Sequence, residues 1–378
     1  MKLKKLQLEN FRNYQKNLYE FPENKELIIL TGPNGSGKTN FLEAIHLLSL
    51  GKSFRSLTQD DMVHWENDYL RCTADVEVDN ENLNLEVFYS LTPVRKKNFK
   101  KNGVNLKNSE YLGNLLTVLF HPEDLNMLYQ SPSLRRRYLD IVLSQTDKNY
   151  LIALSKYKRA LKQRNVLLNQ LRDAHYGDSD TGKLEEDLLA WDDEIIEFGS
   201  VVILKRLKFV DFLNEKIEKI YHSISGNKER ISVEYVGKIL KKSQQYDLKS
   251  ISEMYKGELF NRKKRDIFSA ETTAGPHRDD LIFYLNGKNI CSSASRGEFR
   301  TLLLALKLAE IEFIKECTGH RPILLLDDVF SELDRKRQKH LLKCIKGCQT
   351  IITTTSPLDD KEMAGSSVLV EIDKVRQM

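Results

Sequence analysis

Leu27-Ile28-Ile29-Leu30-Thr31 runs straight into Gly32-Pro33-Asn34-Gly35-Ser36-Gly37-Lys38-Thr39, and an amphipathic stretch from Asn40 to Leu50 follows. The octet fits G-x-x-x-x-G-K-[ST] at every fixed position. An apolar strand, a glycine turn and a helix start are the context a phosphate loop needs. Glycines let successive backbone N–H groups turn inward on a phosphate, and the helix N-terminus adds its positive end. In such a loop the lysine, here Lys38, reaches the terminal phosphates, and the Thr39 hydroxyl ligates Mg²⁺. The octet therefore predicts that Gly32, Pro33, Asn34, Gly35, Ser36, Gly37, Lys38 and Thr39 hold ATP or a related triphosphate. The bland alternative is a chance match in a glycine-rich turn, which the flanking pattern argues against.

At 378 residues the chain has room for two domains, or for one large domain with an insertion. Its apolar runs, such as Val201 to Leu204 and Ile323 to Leu326, are far too short to cross a bilayer. Lys2, Lys4 and Lys5 are followed by alternating polar and apolar residues, not by a signal-peptide core. Five cysteines without a CxxC pair favour a reducing cytoplasm over a disulfide scaffold. Cys344 and Cys348, four residues apart, read as buried thiols of one helical face. The net charge of +5 is too small to demand a polyanionic partner. Its distribution is more informative: Arg95-Lys96-Lys97 with Lys100-Lys101, Arg135-Arg136-Arg137, and Arg262-Lys263-Lys264-Arg265 are all basic clusters. Each is either a solvated surface or part of a nucleic-acid face.

Residues 1 to 125 read mainly as strands: Leu3 to Phe11, Leu27 to Thr31, a hairpin of Tyr69 to Val78 and Leu83 to Ser90, and Leu115 to Phe120. From 126 to 225 the period changes to helical, with stretches Ser133 to Leu143, Asp147 to Arg172 and Leu184 to Tyr221. His175 to Gly182 reads as the tip between two antiparallel helices. Strands return at Ile231 to Val236 and Asp280 to Leu285, the latter followed by an Asn286-Gly287 turn. The pattern predicts an α/β sheet domain, 1–125 and 226–378, interrupted by a helical insertion at 126–225.

Ile323 to Leu326 followed by Asp327-Asp328 is an apolar strand ending in two carboxylates. A terminal acid on a buried parallel strand sits at the carboxyl edge, where ligands bind. Asp327 is placed to hold the metal opposite Thr39, and Asp328 to orient or deprotonate an attacking water. Ser295-Arg296-Gly297-Glu298 opens a long apolar helix, Phe299 to Lys315. Capping alone explains Ser295, yet a hydroxyl and free N–H groups at a helix start also suit an anion.

The order of these parts (phosphate loop, Ser-x-Gly turn, hhhhDD strand, then Ser331-Glu332-Leu333-Asp334) resembles the ABC-type ATPase heads. Leu8-Glu9-Asn10-Phe11-Arg12-Asn13-Tyr14, Pro122-Glu123-Asp124-Leu125, Arg135 to Asp140 and Gly275-Pro276-His277-Arg278-Asp279-Asp280 narrow the likeness. They are similar to the RecF family of SMC-like repair ATPases, over essentially the whole chain. The resemblance implies an ABC-type P-loop ATPase head, a mixed sheet around a central helix, with a short inserted helical arm. It implies an ATP-induced homodimer in which Ser295 and Gly297 meet the γ-phosphate held by the partner subunit, and Ser331 to Asp334 line the interface. Arg12 would approach the nucleotide from the first strand, unless it is a plain surface arginine. Implied partners are gapped or single-strand/double-strand junction DNA, RecR and RecO, with no membrane. The implied activity is a weak, DNA-stimulated ATP hydrolysis that helps load recombinase on single strands.

The sequence departs from the wider pattern in places. Asp328 stands where transporter heads carry Glu, His121 where many carry a Gln, and Thr353-Thr354 where transporters carry a histidine. Gln130 replaces a usual Gly before Ser131-Pro132. These changes favour a slow switch over a fast motor. The rivals are a transporter ATPase subunit, an ATP-gated scaffold that touches only proteins, and a small-molecule kinase. His277 and Arg278 are left without a role.

Overall fold

The computed structural model describes the chain except residues 57, 177–180, 227–228, 242–245, 355–366 and 373–378, and the side chains of 175–176 and 331–332. Most of the expected tip at His175 to Gly182, and the side chains of Ser331 and Glu332, lie outside the described residues. The chain divides into two compact units, Met1–Leu125 with Ile220–Asn227 and Arg296–Met378, and Asn126–Lys219 with Lys228–Ser295.

In the first unit, strands with period-two burial form an antiparallel sheet. Its order is Tyr14–Glu20, Lys2–Phe11, Tyr69–Val78, Glu81–Ser90, Lys96–Lys101, Val104–Leu106. Tyr69–Val78 shows why: Leu70, Cys72, Ala74 and Val76 are buried while the residues between them face outward. A second sheet is wholly parallel, in the order Ser367–Glu371, Leu27–Thr31, Thr350–Thr353, Ile323–Asp327, Thr117–Phe120. All five residues of Ile323–Asp327 are buried, which is why that strand reads as an uninterrupted apolar run.

The helix Lys38–Leu50 buries every residue from Phe41 to Leu50, and one core joins it to side chains of both sheets. The α/β head class stands, with its strands shared between two sheets rather than one. Register completes the arrangement. Asp327 is opposite Thr353, and Thr353 is opposite Leu30, so the carboxylate strand ends two strands from the phosphate loop.

The second unit carries the helices Pro132–Thr146 and Lys148–Tyr176 and most of Gly182–Ser225. It also holds an antiparallel sheet in which Asp280–Leu285 pairs with Ile231–Val236 and with Lys288–Asn289. The expected boundary at 225/226 is therefore misplaced, because Lys228–Ser295 belongs with the insertion and only from Arg296 does the chain rejoin the first unit. The cause is pairing: Asp280–Leu285 completes its hydrogen bonds on Ile231–Val236, so neither strand joins a sheet of the head. Between them lies a helix that the sequence pattern did not suggest, Leu248–Ser269, opened by a reciprocal cap between Asp247 and Ser250.

Buried charges hold this second unit together. Arg164 is fully buried and donates to Asp192 Oδ1 at 2.6 Å, Asp266 Oδ2 at 2.8 Å and Thr272 Oγ1 at 2.9 Å. Arg206 reaches Asp140 Oδ1 at 2.8 Å and the Pro276 carbonyl at 2.7 Å. His277 accepts from the Tyr157 hydroxyl at Nδ1 (2.5 Å) and donates from Nε2 to the Thr272 carbonyl (2.9 Å). Burial pushes its pKa down to about 4, so it is a neutral hydrogen-bonding residue of the interior. Replacing Arg164 with Met would strand the fully buried Asp266 carboxylate. We expect a loss of about 3–5 kcal/mol, measurable by urea denaturation followed through this unit's tryptophan, Trp191.

Candidate functional site

Gly32 to Gly37 leaves the strand Leu27–Thr31 and enters the helix Lys38–Leu50, with Pro33, Asn34 and Gly35 exposed at its tip. Gly37 has φ 112°, and a Cβ there would stand 2.5 Å from Asn13 Nδ2. That crowding is a brace: Asn13 donates to the Ser36 carbonyl at 2.9 Å, and the Tyr14 hydroxyl to the Gly37 carbonyl at 3.0 Å. Gly32, at φ 149°, passes so close to the Ile372 carbonyl that a Cβ would meet it at 2.5 Å. The Lys38 ammonium lies within the loop and donates to the carbonyls of Gly32 at 2.6 Å and Pro33 at 3.0 Å. Burial lowers its pKa against the opposing pull of Asp328 and Asp327. The Ser36 hydroxyl is buried without a hydrogen-bond partner. An orphaned hydroxyl in a loop lined by glycine backbone fits a bound anion.

The carboxylate strand meets this loop directly. Thr39 Oγ1 donates to Asp327 Oδ1 at 2.9 Å, and Thr353 Oγ1 donates to the same oxygen at 2.9 Å. His121 Nε2 stands 3.5 Å from Asp327 Oδ2. The Thr353 hydroxyl also accepts from the backbone N–H of Asp328 at 2.9 Å. That bond holds Asp328 at φ 51°, a left-handed conformation uncommon outside glycine, just before the short helix Val329–Glu332. One hydroxyl and one carboxylate are hard oxygen donors of the kind Mg²⁺ takes, with phosphate and water completing its shell. Among the described residues no cluster of three or more His, Cys, Asp and Glu is fit to hold a metal alone.

Arg12, Thr39, Arg55, Ser56, His121, Glu123 and Asp327 line one polar pocket. Arg12 is not a plain surface arginine. Its guanidinium clasps the fully buried Glu43 through Nε at 2.9 Å and Nη2 at 2.7 Å, reaches the Asp61 carbonyl at 2.5 Å and bonds Ser56. Arg55 donates to Asn40 Oδ1 at 2.7 Å, and Asn40 donates to Asn13 Oδ1 at 2.8 Å, so the loop's brace extends to the pocket wall. Sequence reading missed Asn13, Tyr14 and Glu43 as site residues. Asn13 and Tyr14 had a signal, since both follow Arg12 in the stretch that carried the family likeness.

Ser295 and Gly297 are not among the residues lining this pocket. Ser295 immediately precedes the helix Arg296–Thr318, and Gly297 lies in its first turn. Arg337 ties that turn to Asp334. It donates to Thr301 Oγ1 from Nη2 at 2.7 Å and to the Gly297 carbonyl at 3.4 Å, and it pairs with the Asp334 carboxylate.

A six-stranded antiparallel sheet and a parallel sheet around a phosphate-loop helix, with a carboxylate strand ending on the loop's threonine, define an ATPase head of the ABC and SMC type. The RecF/RecN/SMC N-terminal domain model matches residues 2–378. A DNA replication and repair protein RecF from Bacillus velezensis is 40% identical over 94% of this chain and 94% of its own length. Its counterpart from Oceanobacillus iheyensis is 38% identical over 94% of each. A solved structure of the recombination mediator protein RecF with ATP superposes with TM-score 0.85 at 36% identity, covering 95% of each chain. A second, with ATPrS, reaches 0.88 at 34% identity over 99% of this chain and 98% of that one. An SMC head from Pyrococcus furiosus, at 18% identity and TM-score 0.51, shares the fold. The chain belongs to the RecF family.

Thr353 is the hinge of the carboxylate cluster. We expect Thr353→Val to leave the Asp328 N–H unsatisfied and Asp327 one donor short, costing about 1–3 kcal/mol of first-unit stability by chemical denaturation, with Thr353→Ser restoring it.

Proposed function

We propose that this chain is an ATP-dependent, DNA-binding recombination mediator that acts as a homodimer and turns ATP over slowly. The observation that carries the reading is the 2.9 Å bond from Thr39 to Asp327. It joins the phosphate loop to the carboxylate edge in a chain whose relatives include a RecF solved with ATP. Gly32 to Thr39 would hold the triphosphate, with Lys38 leaving the loop carbonyls for the terminal phosphates and Ser36 finding there the acceptor it lacks. Thr39 and Asp327 would hold Mg²⁺. The ion's contribution, when bound, is to neutralise charge on the β- and γ-phosphate oxygens. Arg12, pinned by Glu43, would present its remaining face to the pocket.

Asp328 would orient the attacking water. Aspartate is one methylene shorter than the glutamate of transporter heads, and its backbone is locked by Thr353, so its reach is limited. This supports a switch rather than a motor. Ser295 and Gly297 would act on the triphosphate of the partner subunit, since neither lines the pocket that holds Thr39 and Asp327. Closure of two heads would then depend on ATP, and hydrolysis would release them, a population shift set by contacts made only across the interface. Gapped or junction DNA is the expected nucleic acid. RecO and RecR are the expected partners, on the strength of relatives that work in the RecFOR pathway. A cytoplasmic site of action is part of the same reading. Among the described residues no helix is long and apolar enough to cross a membrane.

Light scattering with and without ATP tests the dimer, and DNA binding across a salt series in the same two states tests the gate. Ser295→Arg should keep ATP binding in the monomer yet abolish ATP-dependent dimerisation; normal dimerisation would remove Ser295 from the interface. Asp328→Asn should prolong the closed, DNA-bound dimer by at least about tenfold, given the 10²–10⁴-fold usual for general base catalysis. Undiminished ATP turnover in that variant would assign the water to another residue.

A further inference from the structure

The sequence offers three basic clusters, and the structure treats them differently. Arg135 is buried and chelates Asp280 at 2.6 and 2.8 Å, while Arg136 donates to the Asp279 carbonyl at 2.8 Å. Arg95 pairs with Asp60, Lys100 with Glu86, and Lys97 is half-buried, its pKa pushed down to about 8 by burial. The third cluster lies on the helix Leu248–Ser269. There Arg262 pairs with Glu258 and Lys263 with Glu185. Lys264 and Arg265 are exposed and make no ion pair among the described residues.

The same helix exposes two large aromatic rings. Phe260 is 81% and Phe268 74% exposed, while Ile251, Tyr255, Leu259 and Asp266 are buried on the other side. At 100° per residue, Phe260, Lys264 and Phe268 fall within about 80° of one another and opposite that buried face. The two rings stand about 12 Å apart along the axis with a cation midway between them. Two exposed rings flanking a positive charge give this face a mixed aromatic and cationic character. Lys238 extends the positive field. Its pKa is lowered by burial and by the nearby Arg262, Arg265 and Arg278.

We propose that this face of Leu248–Ser269 binds single-stranded nucleic acid, with bases stacked on Phe260 and Phe268 and phosphates on Lys264 and Arg265. Base stacking on aromatic rings beside a basic track is the recognition that single strands allow and duplexes, with their bases paired inside, do not. An acidic protein segment would satisfy the lysine and arginine, but only one with apolar side chains matched to two rings about 12 Å apart would use the phenylalanines as well. The proposal rests on the DNA-binding reading above and assigns the unpaired strand of a gap or junction to this helix.

The test is fluorescence anisotropy of the full chain with labelled oligo(dT), with an abasic deoxyribose-phosphate tract of equal length, and with duplex DNA. Wild-type protein should prefer oligo(dT) to the abasic tract. Phe260→Ala with Phe268→Ala should weaken oligo(dT) binding at least about tenfold and leave abasic-tract affinity and ATP turnover unchanged. Lys264→Glu with Arg265→Glu should weaken both polymers and flatten the log–log salt dependence by about one to two units. The proposal fails if the phenylalanine variant binds oligo(dT) as wild type does, or loses both polymers equally. It also fails if that variant loses a protein partner while keeping oligo(dT). Protein that binds duplex only with ATP but shows no oligo(dT) preference sinks this proposal alone. Stacking preference retained without any ATP-dependent duplex binding sinks the gate alone.

Discussion

A single buried oxygen organises the candidate site: Asp327 Oδ1, which accepts from Thr39 on one side and Thr353 on the other. Asp327 is 4% exposed, and an ionised carboxylate so placed is expensive unless donors surround it. The donors come from different elements, the start of the phosphate-loop helix and the strand Thr350–Thr353. Satisfying one charge therefore fixes three segments that are far apart in the chain. Thr353 has no hydroxyl to spare: it gives its proton to Asp327 and its lone pair to the Asp328 N–H. One of the two hydroxyls that anchor the metal-ligand candidate, that of Thr353, also sets the backbone of the water-orienting candidate.

What could be read from the chain alone follows the range of the forces involved. The octet Gly32 to Thr39 was legible because a phosphate loop is local, a fixed spacing of backbone conformations. Ile323 to Asp327 was legible because burial on both faces leaves only apolar residues. Contacts made across the fold left weaker traces. The clasp of Arg12 on Glu43 spans 31 positions, and nothing in the helix pattern Asn40 to Leu50 marks Glu43 as more than a polar break. The boundary at 225 misled because Ile231 to Val236 is a good strand whichever sheet it joins. Cys344 and Cys348 were expected on one buried face, yet the helix Arg335–Cys344 stops between them, leaving Cys344 exposed and only Cys348 buried.

Charge was the least reliable signal, and for a physical reason. A run of arginines reads identically whether it meets solvent or a carboxylate that folds in from a distance. Arg135 finds Asp280 at a separation of 145 residues and Arg164 finds Asp266 at 102. Lys96 to Lys101 hides a strand, since Phe99 alone marks its buried side. The helix Leu248–Ser269 was missed for a related reason. Its buried apolar residues Ile251, Tyr255 and Leu259 are few, and its two phenylalanines, Phe260 and Phe268, face away from them.

The helix Arg296–Thr318 is tied to its surroundings at two points along its length. Its first turn is tied through Arg337 to Asp334, and its middle is tied by Lys307, whose buried ammonium lies 3.3 Å from Asp124 Oδ2 and 3.6 Å from Glu310. Asp124 Oδ2 also accepts the backbone N–H of His121 at 3.1 Å, and His121 faces Asp327. Burial raises the pKa of Glu310 to about 7 against the opposing pull of Lys307, and both Asp124 and Glu310 favour the charged form of that lysine. Sliding this helix against the Pro122–Leu125 turn would part a buried lysine from Asp124, a penalty of several kcal/mol. The helix Arg296–Thr318 is therefore held against the Pro122–Leu125 turn. Lys307, Asp124 and His121 thus form a contiguous run of polar contacts from the helix Arg296–Thr318 to Asp327.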